Sequence, residues 1–273
     1  VSERVTAPRC ARRAAPAPLA AYLLHRWDWS ETSLIVDLYT RERGRIVAAA
    51  RGAKRPTSQL RPLLLPLQPL RITLGRAAAD DDAAGAAEVV TLRAAEWGGG
   101  APLVGGAALL AGLHLNELLL RLLPRHDPHP ALFDAYAATL PVLAADEAGV
   151  QAALRAFELL LLRELGVLAE LGVVTSTQQP LHDAGRYALH PELGVVVAEG
   201  RDDGLAGGTL RAAQAALDAG AVATLPALQA LCRAAPAAWR MQLRALLHYH
   251  LGGAPLRTRA VVHDMQRLAT SPR

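Results

Sequence analysis

"TSLIVDLYTRERGRIVAAARG", residues 32–52, decides how the first part of this chain is read. Two apolar runs rich in Ile, Val, Leu and Ala flank "RERG" (41–44), where Gly44 supplies the permissive backbone of a turn. "TSLIVDLYT" (32–40) and "GRIVAAARG" (44–52) are therefore expected as consecutive strands. The charge is as informative as the pattern. Residues 40–58, "TRERGRIVAAARGAKRPTS", hold six cationic side chains and a single acid, whereas a bland surface would mix the signs.

Working outward, "LAAYLLHRW" (19–27) predicts a strand before this pair. "LQPLRITLG" (67–75) and "EVVTLRAAE" (88–96) predict two more after it. Pro69 makes the fourth run either an edge strand or a strand ordered only from Leu70. "RAAADDDAAGAA" (76–87) has no buried pattern and reads as a loop. Five short strands in so short a span fit a small closed barrel.

From Leu103 the apolar period changes to a helical one. Leu109, Leu110, Leu113, Leu118 and Leu122 recur at helical spacing until Pro124 stops the run. "DPHPALFDAYAATLPVLA" predicts a second helix capped by Asp127. "VQAALRAFELLLLRELGVLAEL" (150–171) predicts a long third one, apolar around much of its girth and hence central in a bundle. "GRYALHPELGVVVAEG" (185–200) reads as a β-hairpin inserted in the helical body. "TLRAAQAAL", "TLPALQALC", "AAWRMQLRALLHYHLG" and "PLRTRAVVHDMQRL" continue the helices, with Gly252 and Gly253 ending the one that carries His248 and His250.

At 273 residues, 52% hydrophobic and 20% charged, the chain has apolar surface enough for two or three compact units. Its net charge of +4 hides a split. Residues 1–76 carry 14 basic and 5 acidic side chains, and residues 77–273 carry 15 basic and 20 acidic. A basic head on a mildly acidic body suits a polyanion on one face, nucleic acid before an anionic membrane. Cys10 and Cys232 form no C-x-x-C pattern and fit a reducing cytosol. The basic segment 1–18 is interrupted by Pro16 and Pro18 and reads as a disordered leader, not a signal peptide. No apolar run reaches membrane-spanning length.

Catalytic motifs are not visible. Asp80–Asp82 are adjacent residues in a loop, which rarely converge on a metal alone. His182, Asp183 and His190 have no helical His-x-x-x-His or cysteine partner. Ser30, Ser33 and the nine histidines make no nucleophile elbow, and there is no Walker-type phosphate loop.

Three segments together resemble one family. "ETSLIVDLYTRERGRIVAAARGAKRPTSQLRPLLLPLQPL", "LNELLLRLLPRHDPHPALFDAY" and "HYHLGGAPLRTRAVVHDM" are similar, in this order, to the bacterial DNA repair protein RecO family, over nearly all of 19–268. The resemblance implies an α+β chain: an N-terminal OB-fold barrel (19–97), then a mainly α-helical domain (103–268) with the small hairpin insertion. Some relatives carry a four-cysteine zinc site near that hairpin. This sequence has no cysteine there, so the insertion is expected to be zinc-free.

The resemblance further implies a non-enzymatic, cytoplasmic, nucleoid-associated recombination mediator that consumes no cofactor. Such a protein binds single- and double-stranded DNA and anneals complementary strands. With RecR it helps load recombinase on DNA coated by single-strand-binding protein (SSB), whose C-terminal tail it contacts. A generic OB-fold RNA or tRNA module is the alternative, and a metal-dependent nuclease a more distant one.

For DNA the expected cations are Arg26, Arg41, Arg43, Arg45, Arg51, Lys54, Arg55 and Arg71, set outside while the strand interior stays apolar. The competing reading is a solvated, arginine-biased surface. Trp27, Trp29 and Tyr39 are the aromatic candidates for base stacking, against packing over the barrel mouth. An acidic tail ending in an apolar residue needs a greasy groove edged by arginine, which Leu118, Leu119 and Leu122 with Arg121 and Arg125 offer. A core leucine stripe with ordinary surface arginines gives the same pattern. Arg257 and Arg259 either extend the basic surface or pair with acids.

Overall fold

The structure, a computed structural model, describes residues 17–75, 89–100, 105–145, 149–200 and 204–270. Most of the leader, with Cys10, and the loop carrying Asp80–Asp82 lie outside the described residues.

Five strands form the barrel: β1 (Leu19–Asp28), β2 (Leu34–Thr40), β3 (Gly44–Ala50), β4 (Pro69–Leu74) and β5 (Val90–Trp97). They close in the order β1-β2-β3-β5-β4, with β3 and β5 parallel and every other pair antiparallel. This is the OB-fold. Closure removes the edge that Pro69 suggested. Pro69 instead opens β4, where a missing N–H costs the ladder little. Side chains alternate as the pleat demands. Leu23, Leu38 and Ile46 are cross-strand partners that point inward, joined by Val36, Leu70, Ile72 and Leu92 in the barrel core.

The opposite face of β1 and β2 is buried as well, because the helical body packs on it. Tyr22 and Tyr39 are cross-strand partners on that face. They meet Phe133 and Tyr136 at ring-centroid distances between 4.9 and 6.2 Å. Tyr136 in turn packs edge-on to Phe157. Asn116 donates to the Leu23 and Leu24 carbonyls at 3.3 and 3.1 Å and accepts from the Tyr136 hydroxyl at 2.6 Å. One face of the barrel thus joins the core of the body, while the barrel interior keeps a core of its own.

The body comprises α1 (Gly106–Leu122), α2 (Pro130–Ala145), α3 (Val150–Glu164), α4 (Gly207–Asp218), α5 (Ala221–Ala234), α6 (Pro236–His250) and α7 (Arg257–Thr270). Helix α3 is the central one, with all but a few side chains buried. It stops at Glu164 rather than Leu171. Gly166 at φ +70 turns the chain, and the Gly166 and Val167 N–H groups bond back to the Arg163 and Leu162 carbonyls. Helix α2 begins at Pro130, not at an Asp127 cap, because residues 125–127 are held by the barrel. The His126 N–H donates to the Arg45 carbonyl at 2.9 Å. The expected hairpin is β6 (Arg186–His190) with β7 (Gly194–Val197), and β8 (Leu205–Ala206) completes a sheet of order β7-β6-β8.

Gly44 shows how tightly the two parts meet. Its φ is +63, and a Cβ there would lie 1.9 Å from the Asp127 carbonyl oxygen. Gly44→Ala therefore meets left-handed strain and a backbone clash together. The expected loss is about 2–5 kcal/mol of unfolding free energy, read from denaturant melts.

Candidate nucleic-acid interface

The barrel has two ends, and the cationic stretch spans both. Strand β3 runs about 20 Å from the β2–β3 turn, which carries Arg41, Arg43 and Arg45, to the segment holding Arg51, Lys54 and Arg55. The six charges therefore do not share one side, as the sequence had suggested.

The turn end faces the helical body. Arg45 is turned against α1 with a side-chain exposure of only 12%. Its Nη1 donates to the Leu120 carbonyl, to Leu123 at 2.7 Å and, more distantly, to Leu119. Its Nε lies 3.3 Å from the carboxylate of Asp37, which is itself 1% exposed. The carbonyls of a helix's last turn have no intrahelical donors, and a guanidinium satisfies several at once. Arg45 is thus a strut between barrel and body, not an outward cation. Arg41 forms a two-pronged pair with Asp134 of α2, both bonds 2.9 Å. Arg43 is half-buried in the same turn. Tyr39 is wholly buried, so it stacks on protein rings and not on a base.

The far end is open. The Ser30 hydroxyl accepts the Ser33 N–H at 3.1 Å, and the Ser33 hydroxyl accepts the Gly52 N–H at 3.3 Å. These bonds tie the β1–β2 turn to the loop after β3, which is the work these serines do. Arg51 and Arg55 are exposed on that loop. Lys54 donates to the Ser30 carbonyl at 3.1 Å and lies 3.3 Å from the exposed Asp28 carboxylate. Arg26 donates to the Leu64 carbonyl at 2.9 Å while its side chain remains exposed. Trp27 and Trp29 are 44% and 56% exposed at the same end, and the His25 ring meets Trp27 edge-on at 4.5 Å. Trp97, 59% exposed where β5 leaves the barrel, is registered instead with Leu70, whose β1 neighbour Ala21 stands across from Thr40 beside the β2–β3 turn. Arg71 stands on the wall directly across from Glu96, which balances its charge.

Comparison with known proteins decides the family. The profile described as "Recombination protein O N terminal" matches residues 18–83, and "Recombination protein O C terminal" matches 105–260. The DNA repair protein RecO of Variovorax paradoxus is 51% identical over 255 residues, covering 91% of this chain and 96% of that protein. This chain belongs to the RecO family. The RecO of Acidovorax ebreus is 50% identical, over 94% of this chain and 99% of its own length. Membership of the RecO family assigns the chain to DNA repair and recombination, and the OB-fold with a helical body is the architecture that the RecO resemblance implied.

One expectation drawn from the RecO resemblance needs correction. Leu118 and Leu119 are fully buried in the core, so they line no surface groove. Arg121 pairs within α1 with Glu117 at 2.9 Å, leaving half-buried Leu122 and exposed Arg125 beside it. Glu117 also accepts the Arg257 and Thr258 N–H groups at 2.8 and 2.9 Å, capping α7. Burial opposes its charge, but those bonds and Arg121 hold its carboxyl below the usual range.

Beneath lies a polar chain that the sequence did not reveal. His114 bridges Thr258 and Glu158, each at 3.2 Å, and Arg155 reaches Glu158 at 2.8 Å. Glu158 is wholly buried, so the chain ties α1, α3 and α7 together and offers no surface for a substrate. Elsewhere, Asp183 pairs with Arg211, and the His190 ring accepts the Glu192 and Leu193 N–H groups. Among the described residues no three His, Cys, Asp or Glu side chains are grouped to hold a metal. No described helix is long and apolar enough to cross a membrane. Burial pushes the Cys232 thiol up to about 12, so it is a core group and not a nucleophile.

Asp37 gives a titration test. Burial raises its carboxyl to about 6, although Arg45 and Arg125 pull the other way. A carboxyl raised in the folded state binds its proton more tightly there than in the unfolded chain. Its contribution to stability is therefore fullest below pH 4 and falls as pH rises from about 4 to about 6. Stability measured against pH should show this decline in the parent protein and lose it in Asp37→Asn.

Proposed function

We propose that the chain is a recombination mediator. It binds single- and double-stranded DNA, anneals complementary strands, and with RecR helps load recombinase on SSB-coated single strands. The observation that carries this reading is the open barrel end, where Arg26, Arg51, Lys54 and Arg55 lie near exposed Trp27 and Trp29. Cations there neutralise phosphates and release counterions, and aromatic faces stack on bases without regard to sequence. Annealing needs no nucleotide. Screening two backbones lets base pairing supply the free energy, while the protein holds both strands loosely. SSB's acidic tail is a second partner, for which Arg121, Leu122 and Arg125 keep the right chemistry at the surface.

The deciding experiment is annealing of complementary strands coated with SSB, without nucleotide, across a salt series. Duplex should form at low salt and its rate should fall steeply as salt rises. Trp29→Ala should weaken single-strand binding by about 1–3 kcal/mol, as for other stacking residues. A well-folded protein that fails to anneal at low salt, or that prefers structured RNA, would overturn the reading.

A further inference from the structure

The acidity of the body is unevenly distributed. Residues 77–218 carry 8 basic and 19 acidic side chains, whereas residues 219–273 carry 7 basic and 1 acidic. Between Asp218 and Asp264 there is no carboxylate at all, while Arg233, Arg240, Arg244, Arg257 and Arg259 fall in that interval. Helix α6 lies in the middle of it.

One face of α6 is core: Trp239, Gln242, Leu243, Leu246 and Leu247 are buried, and the helix packs chiefly on α3, α5 and β6. The outer face presents two parallel rows. Arg240, Arg244 and His248 stand four residues apart and are all exposed. Beside them run Met241, Ala245 and Tyr249, with Met241 and Tyr249 45% and 48% exposed. Residues at this spacing lie above one another, about 6 Å apart along the axis. Among the described residues no carboxylate pairs with Arg240 or Arg244. Arg259 of α7 lies within electrostatic reach of Arg244, although Glu158 and Glu117 beneath it act the other way. Such a surface gains by taking up a polyanion. The Tyr249 hydroxyl is tied to Glu192 at 3.0 Å, which fixes its ring with much of its surface still exposed and marks one end of the cationic row with an acid.

We propose that this outer face of α6 is a second nucleic-acid contact, taking single-strand phosphates on Arg240, Arg244 and His248 and a base against Tyr249. A charged row beside an apolar, aromatic row matches a strand whose phosphates run along one edge and whose bases run along the other. An acidic protein segment would use the cations but leave the Met241–Tyr249 row without planar partners. Resting on the mediator reading above, the proposal supplies what annealing requires: a place for one strand on α6 while the barrel end holds its complement.

The test compares the full-length protein with Arg240→Ala/Arg244→Ala, Tyr249→Ala and Arg51→Ala/Arg55→Ala, each checked for an unchanged melting midpoint. A labelled oligothymidine strand is titrated across a salt series, and annealing is timed. The α6 double variant should lower the slope of log affinity against log salt by about 1.4 and slow annealing severalfold. Tyr249→Ala should weaken binding without changing the slope. If the α6 variant matches the parent in slope and annealing while the barrel variant is impaired, the second contact is refuted and the mediator reading stands. The same refutation follows if the α6 variant loses only binding of a polyglutamate probe. A parent protein that binds no strand would instead remove the mediator reading on which the proposal rests.

Discussion

A single guanidinium sets the geometry on which the rest depends. Arg45 leaves the barrel at its β2–β3 turn, satisfies carbonyls at the end of α1 and stands against the buried Asp37 carboxylate. A buried carboxylate is tolerable only with a partner, and helix-end carbonyls away from water need donors. Both needs are met by one side chain, and only with the barrel's turn end pressed on the body. The aromatic cluster of Tyr22, Tyr39, Phe133 and Tyr136 fills the space alongside.

That orientation has a functional consequence. With one end of the barrel closed against helices, the opposite end is left to solvent. There the serine-braced turn and the loop after β3 gather Arg26, Arg51, Lys54 and Arg55 around exposed tryptophans. The question raised by the cationic stretch 40–58 thus has a divided answer. Its first three arginines sit at the docking turn, and its last three cations lie at the open end, Arg51 and Arg55 exposed and Lys54 braced against Ser30 and Asp28.

The barrel was legible because strand alternation and the Gly44 turn are local signals, and the helical body because its leucines repeat with a helical period. The end of α3 at Gly166 was less so. The apolar pattern continues through Leu171, and only a left-handed glycine conformation, which sequence does not announce, breaks it. The site was half legible. Charge density pointed to residues 41–55, but burial of Arg45 depends on where α1 ends, a contact between residues more than seventy positions apart. Leu118 and Leu119 show the same limit, since a core stripe and a greasy groove share one pattern until a neighbouring element covers it. The basic face of α6 was hidden by averaging its charge with that of an acidic segment.

The claim at the centre is that the crowded cations divide into a structural set and a binding set. Its most direct test places Arg45→Ala beside Arg51→Ala/Arg55→Ala, reading unfolding free energy and the salt dependence of single-strand affinity for each. Arg45→Ala should cost about 3 kcal/mol or more of stability, because Asp37 loses its buried partner, and should leave the salt slope unchanged. The double variant should keep its stability and flatten the slope. An Arg45→Ala protein as stable as its parent but with a flattened slope would contradict the account.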